Sequence, residues 1–395
     1  MFTHLILSLA LVLILASVGC AAAPAARPGA DALPAIEELP NPFVFADGSP
    51  VKSKDDWARR RAELRDVILY YEYGALPPPA AVTGKETESK PNEALGAVEK
   101  KIVLATGPGG KLAVRLDLTI PAGKTGPMPV IVRGDLCWSK VAEKAGAATV
   151  REMMRRGYIL AEFDRTEFAP DKADKTTGVY PLYPEFDGGA EAAWAWGFHR
   201  VVDYLLAQEY VDKTKIIVTG HSRGGKAALL AGATDERIAL TVPNGSGAGG
   251  CGTYRGGYEK AETLKDIVTR FPFWFHPRFQ EFIGKESKLP FDQHELKALV
   301  APRALLDTEG LADLWANPRG AQQTHLAAKE VYKFLGAGDN IGLVYREGKH
   351  AHGPEDYAAL LDFADARLLG KPVDRSFEVL PFPDLKKLFS WTAPK

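Results

Sequence analysis

Apolar residues fall into two kinds of pattern along most of this chain. Short runs such as PVIVRG, KIIVTG and IGLVYRE are typical of buried strands, whereas longer stretches such as EAAWAWGFHRVVDYLLA carry apolar residues at helical spacing. The two kinds alternate from residue 129 onwards. This alternation predicts a mostly parallel sheet with helices on both faces, in which a ligand would bind at the carboxyl ends of the strands.

The region before this alternation predicts a helix followed by a hairpin. DDWARRRAELRDVILYYEYG has apolar residues at helical spacing behind an aspartate, and a glycine and a proline block end it. KKIVLAT and KLAVRLDLTIP then flank the turn GPGG, as two antiparallel strands would. The sheet is therefore expected to begin with antiparallel strands and to continue with parallel ones.

The first twenty residues form an apolar run that is too short and wrongly flanked for a stable membrane span. They are typical of a signal peptide, which predicts an exported protein, whether periplasmic, secreted or an outer-membrane lipoprotein. Cys20 stands where a lipoprotein signal places its lipidated cysteine, so a lipid anchor at Cys20 is an alternative to cleavage near AAAPAA. Residues 21–40 are rich in proline and alanine and predict a linker, which leaves residues 41–395 as a single domain.

Composition narrows the class of protein. The chain has 395 residues, of which 46% are hydrophobic and 25% charged, so it can bury a core of the size found in enzyme domains. Its formal net charge of −1, with no basic cluster, excludes an electrostatic nucleic-acid binder and favours a small molecule or a polymer as partner. Besides Cys20 there are only Cys137 and Cys251, too few for a disulfide framework, and their spacing leaves open whether they pair.

One sequence motif indicates a nucleophilic serine. The segment GHSRG, residues 220–224, matches G-x-S-x-G directly between a predicted strand and a predicted helix, which is the context of a nucleophile elbow. The glycines suit a turn too sharp for side chains, and the helix N-terminus behind Ser222 offers unpaired N–H groups to an oxyanion. Serine is also a common helix cap, but this context favours Ser222 as a nucleophile.

A serine nucleophile needs a base, and in this arrangement the base follows it in the chain. YREGKHAHGPEDY places His350 and His352 between the last predicted strand and the last predicted helix. The pair could instead bind a metal, but no third cluster of ligands accompanies it, so neither a metal nor another cofactor is expected. The residues alone leave the choice between the two histidines open.

The acid that orients the base is expected after a strand between Ser222 and the histidines. TVPNGSGAGGCG offers no carboxylate there, whereas LLDTEGLADLWANP offers Asp307, Glu309 and Asp313. Asp307 falls within the predicted strand and Glu309 directly follows it. Asp313 lies in the loop beyond, so Asp313 is the preferred acid and Glu309 the alternative, although aspartate is also a common turn residue.

The segment GHSRGGKAA around Ser222 resembles the G-C-S-R-x-G-K signature of the glucuronoyl esterases. Further stretches agree with that family in order, so the resemblance covers about residues 45–370; they are RRAELRDVILYYEYGALPP, AAWAWGFHRVVDYL, GSGAGGCGTYRG, TRFPFWF, DLWANP and GKHAHG. The resemblance implies an α/β-hydrolase fold. It also implies hydrolysis of esters between xylan-borne 4-O-methyl-glucuronic acid and lignin alcohols.

Carried over by position, the resemblance assigns a role to several residues. It makes Ser222 the nucleophile, Arg223 a residue that helps to hold the oxyanion, and Lys226 a ligand of the uronate sugar. Lys226 follows Ser222 by four residues and would share a helix face with it, as such a role requires. Trp315 corresponds to a tryptophan on which the substrate stacks.

The resemblance also bears on the base and the acid. In fungal members the catalytic histidine is the second of an H-x-H, which selects His352 and keeps His350 as the alternative. Fungal members carry a glutamate just before SGAGG, where this chain has Gly245. Some bacterial members place the acid after the following strand, which supports Asp313.

Two further departures concern the surroundings of the site. His221 and Gly353 stand at the positions of two fungal cysteines, so the disulfide between those loops is absent. A glutamate-rich segment that contacts substrate in fungal members corresponds here to ETLKDIVTRFPFWF. In it Glu262 is a candidate for substrate binding, and Arg270 changes the local charge in a way that would shift specificity.

Together these features predict a serine esterase that acts on glucuronoxylan or lignin–carbohydrate esters through Ser222, His352 and Asp313 and an acyl-enzyme. Another carbohydrate esterase, such as a xylan deacetylase, is one alternative. A weakly active surface protein that binds glucuronoxylan is another, which the missing glutamate keeps open. None of the three needs a nucleic-acid partner or a membrane span after processing.

Overall fold

The computed structural model describes residues 27–395, whose strands form one nine-stranded sheet. The strands are β1 (Thr83–Asn92), β2 (Ala97–Thr106), β3 (Leu112–Pro121), β4 (Met128–Arg133), β5 (Ile159–Phe163), β6 (Val211–His221), β7 (Ile238–Asn244), β8 (Ala304–Gly310) and β9 (Ile341–Arg346). Across the sheet their order is β1-β2-β3-β5-β4-β6-β7-β8-β9. Pairing is antiparallel from β1 as far as β5 and parallel from β5 to β9. The predicted change from antiparallel to parallel strands is therefore confirmed.

Helices cover both faces of the sheet. They are α1 (Lys54–Ile68), α2 (Val141–Lys144), α3 (Ala147–Arg156), α4 (Ala190–Leu206), α5 (Arg223–Thr234), α6 (Leu264–Arg270), α7 (Gln293–Ala298), α8 (Pro318–Phe334) and α9 (Pro354–Leu368). Helices α3 and α9 share a hydrophobic core on one face, and α1, α4, α5 and α8 share the core on the other. Helix α1 runs on through a π-helical turn, Leu69–Tyr73, and ends at Gly74, whose φ of +79° turns the chain away as predicted.

Successive residues of the central strands face opposite sides of the sheet. On β4, Val130 and Val132 join the core beneath α4 and α5, whereas Ile131 joins the core beneath α3 and α9. Because both faces are covered, these strands are continuous apolar runs instead of alternating ones. Each such buried side chain contributes about 1.5–3 kcal/mol, so the sheet is a firm base for the loops at its carboxyl edge.

Strand β1 has no hydrophobic signal in the sequence. Its ten residues are exposed or half-buried, and it pairs with β2 at the outer edge of the sheet through the backbone and through surface ion pairs such as Lys100–Glu86 and Lys101–Glu88. Hydrophobic periodicity finds strands that bury a face, so it does not find this one.

Residues 27–40, predicted as part of a linker, instead lie against the domain. The Leu39 backbone N–H donates to the Leu388 carbonyl at 2.7 Å, and that of Ile36 donates to the Ser287 carbonyl at 2.6 Å. Leu39 is also buried. The folded part of the chain therefore begins before the predicted boundary at residue 41.

The predicted signal peptide, residues 1–20, and its terminal Cys20 lie outside the described residues. Among residues 27–395, no helix combines the length and the apolar character that crossing a membrane requires.

Candidate active site

Ser222 lies in a sharp turn at the carboxyl end of β6, near the middle of the sheet and directly before α5. Its backbone φ is +56°, a conformation that residues with side chains seldom adopt and that marks strain at functional sites. A Cβ on Gly220 would lie 2.2 Å from the Gly224 carbonyl oxygen, and one on Gly224 would lie 2.0 Å from Asp135 Oδ1. Both flanking positions therefore accept only glycine, as a nucleophile elbow requires.

The hydroxyl of Ser222 does not cap α5, because it makes no hydrogen bond to the first turn of that helix. The half-buried side chain lines a cleft instead. The first N–H groups of a helix have no intrahelical partner, and the helix dipole adds partial positive charge there. The elbow thus presents a serine hydroxyl beside donors that suit a developing oxyanion.

Asp135, two residues beyond β4, fixes the elbow from the neighbouring strand. Its Oδ2 accepts a hydrogen bond from the His221 backbone N–H at 2.9 Å, and its Oδ1 accepts one from Arg165 Nη1 at 2.5 Å. Asp135 and Arg165 are both fully buried, so each compensates the charge of the other. Sequence reasoning missed Asp135, although the loop after this strand is where α/β-hydrolases place an oxyanion donor.

A cleft of about 220 Å³ opens at Ser222. Its lining residues are Ser222, Arg223, Lys226, Gly245, Ser246, Gly247, Glu262, Arg270, Phe271, Trp274, Trp315, Ala316 and His350. A larger cavity of about 410 Å³ over β2 and β3 is lined by mostly charged side chains and shares no residue with this cleft. The cleft therefore brings Ser222 together with five other predicted site residues, namely Arg223, Lys226, Glu262, Trp315 and His350.

His350 has a carboxylate partner at the edge of this cleft. Its Nδ1 lies 2.6 Å from Asp313 Oδ2, and Asp313 is buried whereas His350 is partly exposed. The loops that carry the two side chains are joined, because the Ala312 backbone N–H donates to the Gly348 carbonyl at 2.9 Å. An imidazole that donates Nδ1–H to a buried carboxylate keeps Nε2 free to act as a base.

His352, the predicted base, lies away from the cleft. Its ring stacks on Tyr357, with 4.2 Å between the ring centroids, and only 2% of the residue is exposed. Burial, with a smaller contribution from His221, holds the pKa of His352 well below its ordinary value. The structure therefore brings the alternative, His350, and not the preferred His352, to both Asp313 and the cleft.

Glu309, the alternative acid, is fully buried in β8. No hydrogen bond among the described residues joins it to His350 or His352. Burial, reinforced by the neighbouring Asp307 carboxyl, raises the pKa of Glu309 well above its usual range. Because Glu309 reaches neither imidazole whereas Asp313 contacts His350, the geometry favours Asp313.

Lys226 lies one helical turn after Ser222, and its ammonium is buried beside the cleft. Its Nζ donates to the Ser246 carbonyl at 2.5 Å and to the Ala248 carbonyl, and it pairs with Glu262 Oε2 at 3.2 Å. Burial raises the pKa of Glu262, although the charge of Lys226 partly offsets this. The pair holds the SGAGG loop in place and offers polar groups of both signs to a ligand in the cleft.

Arg223 holds its guanidinium at the edge of the cleft. Its Cζ lies 4.5 Å from the ring centroid of Trp274, and its Nη1 pairs with Asp171 Oδ2 at 2.7 Å. Asp171 Oδ1 accepts a hydrogen bond from Trp274 Nε1 at 2.9 Å, so the three side chains support one another. In the same cleft, Arg270 Cζ lies 4.5 Å from the ring of Trp315. Two cations that rest on indole rings therefore border Ser222.

His221 is a residue of the site that sequence reasoning did not assign. Its ring centroid lies 4.3 Å from that of His350. Its Nδ1 lies 2.6 Å from Asn244 Oδ1, and Asn244 Nδ2 donates to Thr308 Oγ1 at 2.9 Å, so the amide oxygen accepts the Nδ1–H of His221. Burial, followed by the charge of His350, lowers the pKa of His221 to about 4, so the ring is neutral at neutral pH. G-x-S-x-G leaves its second position unspecified, so the motif carries no signal for this contact.

Cys137 and Cys251 are both free thiols in the described part of the chain. Burial raises the pKa of Cys137 to about 12 and that of Cys251 well above its ordinary value. Both cysteines are therefore held as thiols of low reactivity. Their spacing in the sequence left open whether they form a disulfide, and in the structure they do not.

Fold and site together define the class of protein: an α/β-hydrolase with a serine at its nucleophile elbow. A family model described as "Glucuronyl esterase, fungi" matches residues 102–336. Carbohydrate esterase MZ0003, from an unknown prokaryotic organism, is 31% identical over 84% of this chain and 90% of its own length. The 4-O-methyl-glucuronoyl methylesterase of Podospora anserina is 34% identical to this chain. The match covers 78% of this chain and 63% of that relative.

A solved structure agrees with these matches. The carbohydrate esterase family 15 glucuronoyl esterase from Caldicellulosiruptor kristjansonii has a TM-score of 0.72 and 33% identity, over 91% of this chain and 99% of that one. The chain belongs to the glucuronoyl esterase family, and it is a carboxylic ester hydrolase. The predicted α/β-hydrolase fold and the predicted family are thereby confirmed.

Proposed function

We propose that this protein hydrolyses esters of glucuronic acid, with or without a 4-O-methyl group, through Ser222, His350 and Asp313. The observation that carries the proposal is that Ser222 and His350 line one cleft while His350 Nδ1 lies 2.6 Å from the buried Asp313 carboxylate. The name of the Podospora anserina relative, a 4-O-methyl-glucuronoyl methylesterase, supports the substrate class. Glucuronoxylan esters, including those that link it to lignin, are the natural substrates in this proposal.

In the first half-reaction the Ser222 hydroxyl attacks the ester carbonyl carbon while His350 Nε2 takes its proton. Asp313 holds the imidazole in the tautomer with a free Nε2 and stabilises the imidazolium that forms. The tetrahedral intermediate then breaks its bond to the alcohol oxygen, which takes the proton from His350 and leaves a uronyl ester on Ser222. Water, deprotonated by the same His350, cleaves that ester to release glucuronate and restore the Ser222 hydroxyl.

Arg223 and the backbone N–H groups at the start of α5 are the proposed ligands of the oxyanion. The support is that Asp171 and Trp274 hold the Arg223 guanidinium at the cleft that contains Ser222. A donor aimed at the developing charge is typically worth about 10²–10³ in kcat. We therefore assign Arg223 to transition-state stabilisation.

Lys226, Glu262 and Trp315 are the proposed ligands of the uronate ring. All three line the cleft, which has a volume of about 220 Å³. That is smaller than the ~300–1,000 Å³ typical of pockets for drug-sized ligands, and it suits one sugar residue while the rest of the glycan stays outside. In this proposal Glu262 accepts a hydrogen bond from a ring hydroxyl, and Lys226 donates to the sugar by giving up one of its three hydrogen bonds within the protein. The Trp315 indole supplies an apolar face.

The proposal is tested by comparing rates on methyl glucuronate and on acetylated xylose, with Ser222→Ala as the matched variant. Faster hydrolysis of the glucuronate, lost in Ser222→Ala, is expected. Full activity of Ser222→Ala would overturn the nucleophile, and an acetyl preference would favour a xylan deacetylase and remove the uronate role of Lys226. Binding of glucuronoxylan without turnover, unaffected by loss of Ser222 and His350, would favour a binding protein.

Export belongs to the same proposal, and its support is the apolar run of residues 1–20. Cleavage after that run and lipidation of Cys20 are the two outcomes to distinguish. Cell fractionation combined with labelling by a radioactive fatty acid, in the natural chain and in Cys20→Ala, separates a soluble exported protein from a lipid-anchored one. Retention of the unprocessed chain in the cytoplasm would contradict export.

A further inference from the structure

Trp138 is a large, exposed aromatic side chain close to the elbow. It lies in the turn after β4, and 43% of the residue is exposed. Arg165, which is fully buried, has its Cζ 4.3 Å from the centroid of the Trp138 ring. Arg165 therefore covers part of the indole, and a large part of the ring remains open to solvent.

Trp138 contacts both chain neighbours of Ser222. Its ring centroid lies 6.1 Å from that of His221, in an edge-on arrangement, and 5.7 Å from Arg223 Cζ. It is not among the residues that line the cleft. Trp138 thus borders Ser222 from outside the space in which the sugar would bind.

The chemistry of ester hydrolysis determines which part of a substrate reaches this ring. The leaving alcohol takes its proton from His350, so the alcohol must lie on the His350 side of Ser222. The His221 ring neighbours both His350 and Trp138, with its centroid 4.3 Å from that of His350 and 6.1 Å from that of Trp138, so the three rings are in successive contact. Trp138 is therefore on the side where the alcohol emerges from the cleft.

We propose that the exposed face of Trp138 is a subsite for an aromatic ring carried by the leaving alcohol. This inference rests on the proposed glucuronoyl esterase function and adds to it the residue that selects the alcohol. Stacked or edge-on aromatic pairs stabilise each other beyond the effect of the area that they bury. The subsite is a specificity determinant, since it contacts neither the sugar nor the reacting atoms.

The surroundings of the ring favour an aromatic ligand over a second sugar. The charged groups next to Trp138 are already paired within the protein, Arg165 with Asp135 at 2.5 Å and Arg223 with Asp171 at 2.7 Å. A sugar on this face would need acceptors for its hydroxyl protons, and the carboxylate oxygens of Asp135 and Asp171 each already accept a hydrogen bond within the protein. An aromatic ring needs only the face of the indole.

The turn that carries Trp138 is held firmly. The Trp138 backbone N–H donates to the Asp135 carbonyl at 3.0 Å, and Arg133 Nη1 donates to the Ser139 carbonyl at 2.7 Å. The face is therefore preorganised, and little conformational entropy is lost when a ligand covers it.

The test compares two esters of one acid, methyl glucuronate and 3-phenylpropyl glucuronate, in the natural protein and in Trp138→Leu. Leucine keeps an apolar cover over Arg165 but removes the aromatic face. The expected result is a fall of about fivefold to tenfold in kcat/KM for the phenylpropyl ester, mostly through KM, and of less than about twofold for the methyl ester. Trp138→Phe should keep most of the difference between the two esters.

Trp315→Phe is the contrasting variant, because a residue that contacts the sugar should affect both esters alike. An equal fall on both esters in Trp138→Leu would overturn the subsite, and so would an unchanged rate on the phenylpropyl ester. If the glucuronate ester of a methyl glycoside depends on Trp138 as strongly as the phenylpropyl ester does, the ring stacks a sugar and the aromatic assignment is wrong.

Binding without turnover separates failure of the subsite from failure of the proposed function. The binding experiment uses saturation-transfer NMR with 3-phenyl-1-propanol as ligand and the inactive Ser222→Ala protein. Saturation should be transferred to the aromatic protons of the ligand. The double variant with Ser222→Ala and Trp138→Leu should show no such transfer. Transfer that survives Trp138→Leu would overturn the subsite. Trp138-dependent transfer in a protein that hydrolyses no glucuronate ester would refute the esterase proposal and leave the aromatic site standing.

Discussion

His350 Nδ1 and Asp313 Oδ2 lie 2.6 Å apart, whereas the neighbouring His352 stacks on Tyr357 and is buried away from the cleft. The two histidines are separated by one residue, yet the structure gives them opposite surroundings. Their different effects on catalysis are therefore the first property to measure.

His350→Ala is expected to lower kcat on methyl glucuronate by about 10³-fold or more, because it removes the base. His352→Phe, which keeps an aromatic ring against Tyr357, should stay within about fivefold of the natural rate. Initial rates, with melting temperatures as the control for folding, give both numbers. The reverse ranking of the two variants would return the role of base to His352.

Asp313→Asn preserves the shape of the acid but removes its charge and allows the wrong imidazole tautomer. A fall of about 10⁴-fold in kcat is expected, by analogy with the same change in a Ser-His-Asp triad. Glu309→Gln is the control, because Glu309 makes no hydrogen bond to either histidine and should not orient the base. Steady-state kinetics decide between them, and a larger loss in Glu309→Gln would make Glu309 the acid.

Gly245 occupies the position at which fungal members of the family carry a glutamate as the acid. A Cβ at this position would lie 3.4 Å from Asp313 Oδ2 and 3.6 Å from His350 Nδ1. Gly245→Glu should therefore raise the activity of Asp313→Ala by at least about tenfold, with about 1 kcal/mol of lost stability from the φ of +50°. Gly245→Gln is the matched control, and equal recovery with glutamine would show that charge is not what restores activity.

His221 supports one side of the base, with its ring 4.3 Å from that of His350. His221→Ala should lower kcat by about tenfold with KM nearly unchanged, since the imidazole of His350 loses a packing surface and not a reacting group. His221→Phe should recover part of kcat, although it cannot bond Asn244. If kcat follows only the melting temperature across the two variants, His221 stabilises the fold and does not position the base.

Glu72 is fully buried and accepts a hydrogen bond from Tyr254 Oη at 2.5 Å. Burial raises the pKa of Glu72 from 4.5 to about 8, so the folded protein keeps a proton that the unfolded chain releases. The contribution of this proton to stability is complete below the pKa of Glu72 in the unfolded chain, and it is lost as the pH rises through the pKa of Glu72 in the folded protein.

Glu72→Gln, which has no proton to lose, should therefore gain stability relative to the natural protein between pH 5 and 8.5, by up to a few kcal/mol. Urea unfolding at several pH values measures the difference. Glu295→Gln offers a second case, since burial also raises the pKa of Glu295 to about 8. A difference in unfolding free energy that stays constant with pH would contradict the assignment.

Much of the fold was predictable because its strands bury both faces. The continuous apolar runs that form β4 to β9 are stable only in a parallel sheet that is covered on both faces. The G-x-S-x-G motif directly after one of these runs places Ser222 at the end of a strand. Chain order narrowed the acid to Asp307, Glu309 and Asp313, and the position of Asp313 in the loop beyond the strand, with the resemblance to bacterial members, selected it among them. The edge strand β1 and residues 27–40 were not, because backbone hydrogen bonds and a few buried contacts hold them instead of an apolar face.

The choice between His350 and His352 depends on the path of a loop, which hydrophobic periodicity does not describe. That path is fixed by Arg346, which donates to the carbonyls of Lys349 at 3.0 Å and Ala351 at 2.5 Å and pairs with Asp356 at 2.8 Å. These contacts turn His350 outwards and His352 inwards. Trp138 and His221 escaped prediction for the same reason, since their roles come from neighbours that lie far away in the chain.

The hydrogen bond from Ala312 to the Gly348 carbonyl is accompanied by one from the Leu311 N–H to the Arg346 carbonyl at 3.0 Å. These bonds join the two loops that carry Asp313 and His350. The backbone link between the loops does not depend on the contact between Asp313 and His350. Substitution of either side chain therefore removes the acid–base pair while the loops that carry it stay joined.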